Sequence, residues 1–126
     1  ARECKKIILE KRAIYMAIVT LGGHGAITVD SKGLAKRFFA PSIKVKSTVG
    51  CGDTHHGALM MHTCLSVVAQ AGKPNVLSEL ESNLDQHMGF ALACASASAL
   101  QDLPGHFNVQ TANELVSQVK CVTLAQ

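Results

Sequence analysis

The stretch Ser47 to His62, S-T-V-G-C-G-D-T-H-H-G-A-L-M-M-H, constrains the chain more than any other. A β-prone segment, Ile43 to Val45, leads through two glycines into an apolar run of helical length, with an acid at the switch. A loop opening onto a helix N-terminus presents several backbone N–H groups without intrahelical partners, and the macrodipole adds partial positive charge there. Gly50 and Gly52 let the backbone turn and let an anion approach without meeting a Cβ. Such a loop is an anion site, and Asp53, the first residue past it, stands where it would meet the hydroxyl with which the anion reacts. A purely structural reading accounts for the same residues, because Asp is a common N-cap and Gly a common turn residue. Two standard phosphate-binding patterns are absent. Gly72-Lys73 is followed by Pro74, which rules out G-x-x-x-x-G-K-[ST], and His55 stands where G-x-G-x-x-G needs its third Gly.

The segments on either side read as alternating strands and helices. Residues 1–12 read as a short helix with Ile7-Ile8-Leu9 as its apolar contact, and Ala17 to Leu21 as a short buried parallel strand. Gly22 to Gly25 then break regular structure. Ala26–Val29 and Leu34–Phe39 bracket Asp30-Ser31-Lys32-Gly33, a hairpin signal with Gly at the positive-φ position. Ile43 to Lys46 alternates apolar and charged residues, as in a strand with one wet face; Lys36, Arg37, Lys44 and Lys46 belong to such wet faces.

Thr54 to Ala71 reads as a helix ended by Gly72-Lys73-Pro74, with Gly57, Met60, Met61, Cys64, Leu65 and Val68 as its core stripe. Ser78 to Glu81 forms a capping box for a second helix carrying Leu80, Leu84, Met88, Ala91 and Ala95. Its end, Ala91 to Ala99, has almost no bulk and suits close helix packing or a flat ligand. Leu103-Pro104-Gly105 stops it. Thr111 to Glu114 is a further capping box, opening a last helix through Val119. The sum is one α/β domain over residues 1–126, a layered sheet with flanking helices. In such sheets ligands bind beyond the strand C-termini, which would put the Gly22–Gly25 and Gly50–Gly52 loops on one face.

Composition narrows the classes. With 48% hydrophobic and 17% charged residues, the chain is globular. Its net charge is only +3, and the basic residues Arg2, Lys5, Lys6, Lys11 and Arg12 have no interleaved aromatics, so they read as a solvated helix face rather than a nucleic-acid surface. No apolar run reaches membrane-spanning length, and no signal-like segment is visible, so a cytoplasmic location is expected. Five cysteines without C-x-x-C fit reduced, buried thiols, and neither H-E-x-x-H nor zinc-finger spacing appears among the six histidines, so no metal site is expected.

Three segments, in order, carry a family resemblance. S-T-V-G-C-G-D at Ser47–Asp53 resembles the C-terminal signature of the ribokinase-like carbohydrate kinases, in which G-A-G-D forms the anion hole and its Asp is the catalytic base. Cys51 replaces the usual Ala, and the preceding Ser-Thr-Val resembles the phosphofructokinase B branch. V-T-L-G-G-H-G-A at Val19–Ala26 is similar to the nucleotide-binding T-x-G-x-x-G segment, and F-A-L-A-C-A-S-A-S-A-L at Phe90–Leu100 to the small-residue helix beside the adenine pocket. The resemblance implies a ribokinase-like, Rossmann-like fold represented by its C-terminal, nucleotide-side part.

The activity implied is phosphoryl transfer from ATP, with Mg2+, to a hydroxyl of a sugar or sugar phosphate. By the resemblance, Gly50, Cys51 and Gly52 form the anion hole, Asp53 is the catalytic base, and Thr20, Leu21, Gly22, Gly25 and Ser47 line the nucleotide. An ionised, correctly placed carboxylate suffices, since in a loose transition state the proton leaves late. The family's magnesium-related N-x-x-E motif is absent, because no Asn here has Glu three residues on. Homo-oligomers, or association with an N-terminal half outside this chain, are expected. The alternatives are a non-catalytic nucleotide-binding or interaction module that keeps the anion loop, and redox or metal work by Cys51 with His55.

Overall fold

The computed structural model describes residues 14–70 and 75–124, together with Glu3, Lys6, Ile7 and Glu10, which are helical. The rest of the helix expected over residues 1–12, and the Gly72-Lys73-Pro74 stop, lie outside the described residues.

Four strands form one antiparallel sheet in the order β1 (Met16–Thr20), β2 (Ala26–Asp30), β3 (Ala35–Phe39), β4 (Lys120–Thr123). β1 pairs with β2 from Met16↔Asp30 to Thr20↔Ala26, so the segment expected as a buried parallel strand is an antiparallel edge whose last two residues are exposed. Hairpin closure decides this. The five residues Leu21 to Gly25 fold into a single 3-10 turn, with Leu21 N–H donating to Gly25 O at 2.7 Å and Gly25 N–H to Gly22 O at 3.0 Å. A connection that short returns the chain alongside itself, whereas a parallel crossover needs a dozen residues or more.

The β2–β3 turn forms as the sequence indicates. The Asp30 carboxylate accepts from the N–H groups of Lys32 and Leu34 at 2.9 and 2.8 Å, and Gly33 takes φ +82°. β4 is absent from the sequence reading; it pairs Lys36↔Thr123 through Phe39↔Lys120 and is exposed along its length. Ile43–Val45 is not a strand. Ile43 packs on the core, and the N–H groups of Lys46 and Ser47 both donate to Ala99 O, at 2.8 and 3.3 Å. Of the expected wet-face cations, Lys36 pairs with Asp85 at 2.6 Å, and Arg37 is half-buried, donating to His24 O at 2.5 Å.

From Cys51 on, the described residues form four helices: α1 (Cys51–Ala69), α2 (Val76–Ser82), α3 (Leu84–Ala99) and α4 (Val109–Val116). α1 starts three residues before the expected Thr54, taking Cys51, Gly52 and Asp53 into its first turn. Both expected capping boxes are displaced by asparagines three residues upstream. Asn75 accepts from Ser78 N–H at 2.8 Å and Asn108 from Thr111 N–H at 3.1 Å. The helix expected from Ser78 breaks at Asn83, and the last helix ends at Val116 rather than Val119.

The core lies where α3 packs on α1, on α4 and on the sheet, with Phe38, Met88, Ala91, Ala93, Cys94 and Ala97 all at 0% exposure. The expected core stripe of α1 is overturned. Met60, Met61, Cys64, Leu65 and Val68 are exposed, and the buried side holds His55, Ala58, Leu59 and Thr63. Apart from His55, the polar side chains on that buried side, and Glu79 against it, are satisfied. Thr63 Oγ1 donates to Leu59 O at 2.7 Å, and buried Glu79 accepts from Ser66, Gln70 and Asn83 at 2.6 to 2.9 Å. The expectation of buried thiols holds for Cys94 only. Cys51 is half-buried, Cys64 and Cys121 are exposed, and Cys4 lies outside the described residues.

Candidate functional site

Two glycine-bearing loops and one helix end converge on a cleft of ≈ 200 Å³. Its roof is the β1–β2 connection, through Thr20, Gly22, Gly23 and Gly25, continued by Pro41, Ile43 and Val45. Its floor is the start of α1, with Thr48, Cys51, Gly52 and His55. Its back wall is the small-residue end of α3, through Leu92, Ala95, Ser96 and Ala99. The bonds from Lys46 and Ser47 to Ala99 O fasten the lead-in loop of α1 to the end of α3, which fixes floor against wall. The two loops therefore share one site, through hairpin closure rather than through parallel strand ends.

The start of α1 is built to present backbone donors. Gly50 caps it in the left-handed region at φ +76°, and no side chain caps it. A Cβ on Gly50 would press on Pro104 at 3.1 Å and Gly105 N at 3.3 Å, so the 103–105 turn braces the loop. The Cys51 N–H donates to Thr48 O at 3.3 Å, and the Thr54 N–H and hydroxyl both donate to Gly50 O at 2.9 Å. The N–H groups of Gly52 and Asp53 fall in the first turn, where a helix offers no carbonyl four residues back.

Asp53 is exposed and lies on the other flank of that turn. It lines a second recess of ≈ 460 Å³ with Gly50, Thr54, Gly57 and Met61, opposite Pro104 and Phe107. The first turn of α1 thus divides two recesses, with Gly52 on the cleft side and Asp53 on the other.

Of the expected nucleotide-lining residues, Thr20, Gly22 and Gly25 line the cleft, while Leu21 and Ser47 do not. Leu21 closes the β1–β2 turn. Ser47 is a loop latch: its Oγ accepts from Val49 N–H at 3.3 Å and its carbonyl from the Cys51 thiol at 3.7 Å. Gly25 serves packing as well, since it is buried at φ +88° and a Cβ there would come within 2.1 Å of Phe38 O. Sequence reasoning missed Thr48 and left His55 unexplained.

His55 is 1% exposed, and neither ring nitrogen has a hydrogen-bond partner. Burial, and secondarily the neighbouring His56, pushes its pKa down to about 4. His56 is exposed and donates from Nδ1 to Gly52 O at 2.8 Å. Burial pushes the Cys51 thiol up, away from the thiolate that redox or metal chemistry needs.

The cleft fits a nucleotide. Gly22, Gly23 and Gly52 leave open space where a Cβ would stand, and His55 lines the cleft with both ring nitrogens buried and unpaired. Its apolar walls suit a flat base. Among the described residues no cluster of three or more His, Cys, Asp or Glu offers a metal ligand set. No helix among them is long and apolar enough to cross a membrane.

Residues 1–111 match the pfkB family carbohydrate kinases. Among solved structures, the chain resembles a Staphylococcus aureus protein assigned as a phosphofructokinase, at 27% identity and TM-score 0.61, over 91% of this chain and 32% of that one. Escherichia coli phosphofructokinase-2, solved with potassium, matches at 24% identity and TM-score 0.66, over 92% and 32%. Ribokinase of Thermotoga maritima matches at 21% and 0.62, over 86% and 32%. The chain therefore spans about a third of the length of these structures. No curated relative matches by sequence.

Proposed function

The chain belongs to the pfkB family of carbohydrate kinases, and we propose that it supplies the ATP-binding part of a kinase that phosphorylates a hydroxyl of a sugar or sugar phosphate. The observation that carries this reading is the pair of recesses meeting at the first turn of α1. A nucleotide in the glycine-lined cleft would direct its terminal phosphoryl toward the backbone donors of Gly50 to Asp53. An acceptor hydroxyl in the second recess would meet Asp53.

ATP supplies the phosphoryl group, and the chain's own residues position and stabilise. The N–H groups of Gly52 and Asp53 would hold the charge that spreads over the phosphoryl oxygens in transfer, with Cys51 N–H, bonded to Thr48 O, fixing the loop before them. The Asp53 carboxylate would orient the acceptor hydroxyl and accept its proton. Thr20, Gly22 and Gly25 would border the nucleotide, with Leu21 and Ser47 setting the two loops that carry it. Magnesium would arrive on the phosphates, since the described residues offer no ligand set for it.

Asp53→Asn in the intact protein tests the assignment, with a panel of sugars and sugar phosphates as acceptors. Turnover should fall by roughly 10²–10⁴-fold, the range of positioned acid–base catalysis, while ATP affinity changes by less than about twofold, because the group is absent from the nucleotide side. Retained turnover would remove Asp53 from the role. One observation favours a second reading, a non-catalytic nucleotide-binding or association module: the apolar face of α1 at Met60, Met61, Leu65 and Val68 is uncovered among the described residues. ATP binding without acceptor-dependent ATP consumption in the intact protein would select it.

A further inference from the structure

Away from the cleft, α1, α2 and α3 meet around three titratable side chains, Glu79, His87 and His62. His62 lies two turns, about 10 Å, beyond His55 along α1. Glu79 is 2% exposed, and its carboxylate accepts from Ser66, Asn83 and Gln70 at 2.6 to 2.9 Å. His87, 1% exposed, donates to it from Nε2 at 3.1 Å. The other edge of the His87 ring meets half-buried His62, Nδ1 to Nδ1 at 2.7 Å, and the His62 ring stacks on Phe90 at 4.5 Å. The other charged groups of the surrounding helices are engaged or placed elsewhere. Glu81 is bonded to Tyr15 and Lys32, and Asp85 to Lys36. Glu114, the one charged residue of α4, is exposed and accepts from Gln110. Asp53, His55 and His56 belong to the first two turns of α1.

The hydrogen bonds fix where the protons are. Donors, first Ser66, hold Glu79 ionised. An ionised carboxylate only accepts, so the proton of its contact with His87 is on His87 Nε2. Two facing ring nitrogens at hydrogen-bond distance need one N–H and one lone pair. One proton between them closes the contact, whichever ring carries it. A proton added at Nε2 of His62, the more accessible ring, leaves that contact intact and balances the Glu79 charge. A further proton sets N–H against N–H and like charge against like charge. We infer that His62, His87 and Glu79 form a proton-operated clasp between α1 and α3, closed while the facing nitrogens share one proton and open once both are protonated. Burial, and then His87, lower the His62 pKa, with Glu79 opposing them, so opening belongs to the acid side of the ordinary histidine range. An apolar contact would join the two helices without burying a carboxylate; the polar one adds a response to pH. The helices it joins are the floor and the back wall of the cleft.

NMR of nitrogen-labelled histidine rings in the intact protein tests the clasp. At pH 7.5, His87 should carry a proton on Nε2, and one N–H signal should couple to the Nδ1 atoms of both His62 and His87. On acidification that coupling should vanish before the protein unfolds. Its absence at pH 7.5, or its persistence until unfolding, would overturn the inference. Two variants read the same device through denaturant unfolding. His62→Phe keeps a ring on Phe90 and strands His87 Nδ1, so the folding equilibrium constant at pH 7.5 should fall roughly tenfold. His62→Asn offers an amide donor near the Nδ1 position on a side chain that does not titrate. It should stay within about threefold of wild type at pH 7.5. Between pH 7.5 and 5 it should lose less stability than wild type, because the unfolded chain takes up the His62 proton at a higher pH than the fold does. A His62→Asn protein with the wild-type pH profile would also overturn the inference. The wild-type spectra decide the matter if His62→Phe fails to fold.

Discussion

α1 and α3 are both apolar through most of their length, yet they are housed differently. Twelve of the 16 residues of α3 are buried, against four of the 19 in α1. α3 is wrapped by α1 and α4 and shares its core with Ala26 and Phe38 of the sheet, and its alanines and serines let the two helices approach closely. α1 packs one side, which carries His55, Ala58, Leu59 and Thr63; Met60, Met61, Leu65 and Val68 are on the bare side, Val68 at 77% exposure. α3 is held by shape, whereas α1 buries a mixed side on which Thr63 is satisfied and both His55 nitrogens are unpaired. The cleft opens where the two meet, so the better-fixed helix forms the wall and the less enclosed one carries the residues proposed for the chemistry.

Acid should expose that difference most strongly. The His55 pKa lies at about 4 in the fold, against an ordinary 6.5, and burial lowers that of His62 as well. The unfolded chain therefore binds protons between pH 6.5 and 4 that the folded chain refuses, and stability is lost as pH falls through that window. His55 alone accounts for up to roughly 3 kcal/mol by pH 4. Denaturant titrations at pH 7.5 and 4.5 should show the loss, and His55→Phe should remove much of it; a pH-independent midpoint would contradict the buried placement. Glu79 acts in a lower window. Hydrogen bonds, first from Ser66, hold its pKa at about 2, so its contribution is complete above pH 4.5 and is lost only toward pH 2.

The next largest effect belongs to α3. Ala97→Leu adds bulk at a residue with 0% exposure and should cost about 1–3 kcal/mol in thermal or denaturant unfolding. The smallest belongs to the bare face of α1. Leu65→Ala, at 58% exposure, should change stability by less than about 0.5 kcal/mol. A loss of several kcal/mol there in the intact protein would mean that the face is covered by residues outside those described, sharpening the contrast into one between chain and whole protein.

The sequence carried the three cleft segments well, because glycines and small residues mark close backbone approach whatever the surroundings. It also carried the β2–β3 turn, whose chemistry is confined to Asp30 through Leu34. Non-local pairing was hidden. Ala17–Leu21 is apolar enough for a parallel strand, and only the shortness of the Leu21–Gly25 connection forces it antiparallel. The caps were misplaced for a local reason. Ser78-x-x-Glu81 and Thr111-x-x-Glu114 satisfy the capping-box pattern, but Asn75 and Asn108 reach those N–H groups first, while Glu79 turns inward to four donors. The buried side of α1 was illegible because hydrophobicity selects Met60, Met61 and Leu65, and the polar partners that settle the matter come from α2 and α3. His55 could be flagged only by its place beside the anion loop. Its lack of partners is a property of the folded chain.

Gly52→Ala tests the central claim most directly. The Cβ would stand in open space, inside a helix where Gly→Ala is stabilising by about 0.5–1 kcal/mol. It would also project beside the amides assigned to the phosphates. Calorimetric titration of ATP into the intact wild type and variant, alongside their melting temperatures, reads both effects. The expected result is an equal or higher melting temperature with ATP affinity lowered roughly tenfold or more. An unchanged ATP affinity at that unchanged or higher stability would contradict the assignment of this turn as the anion hole.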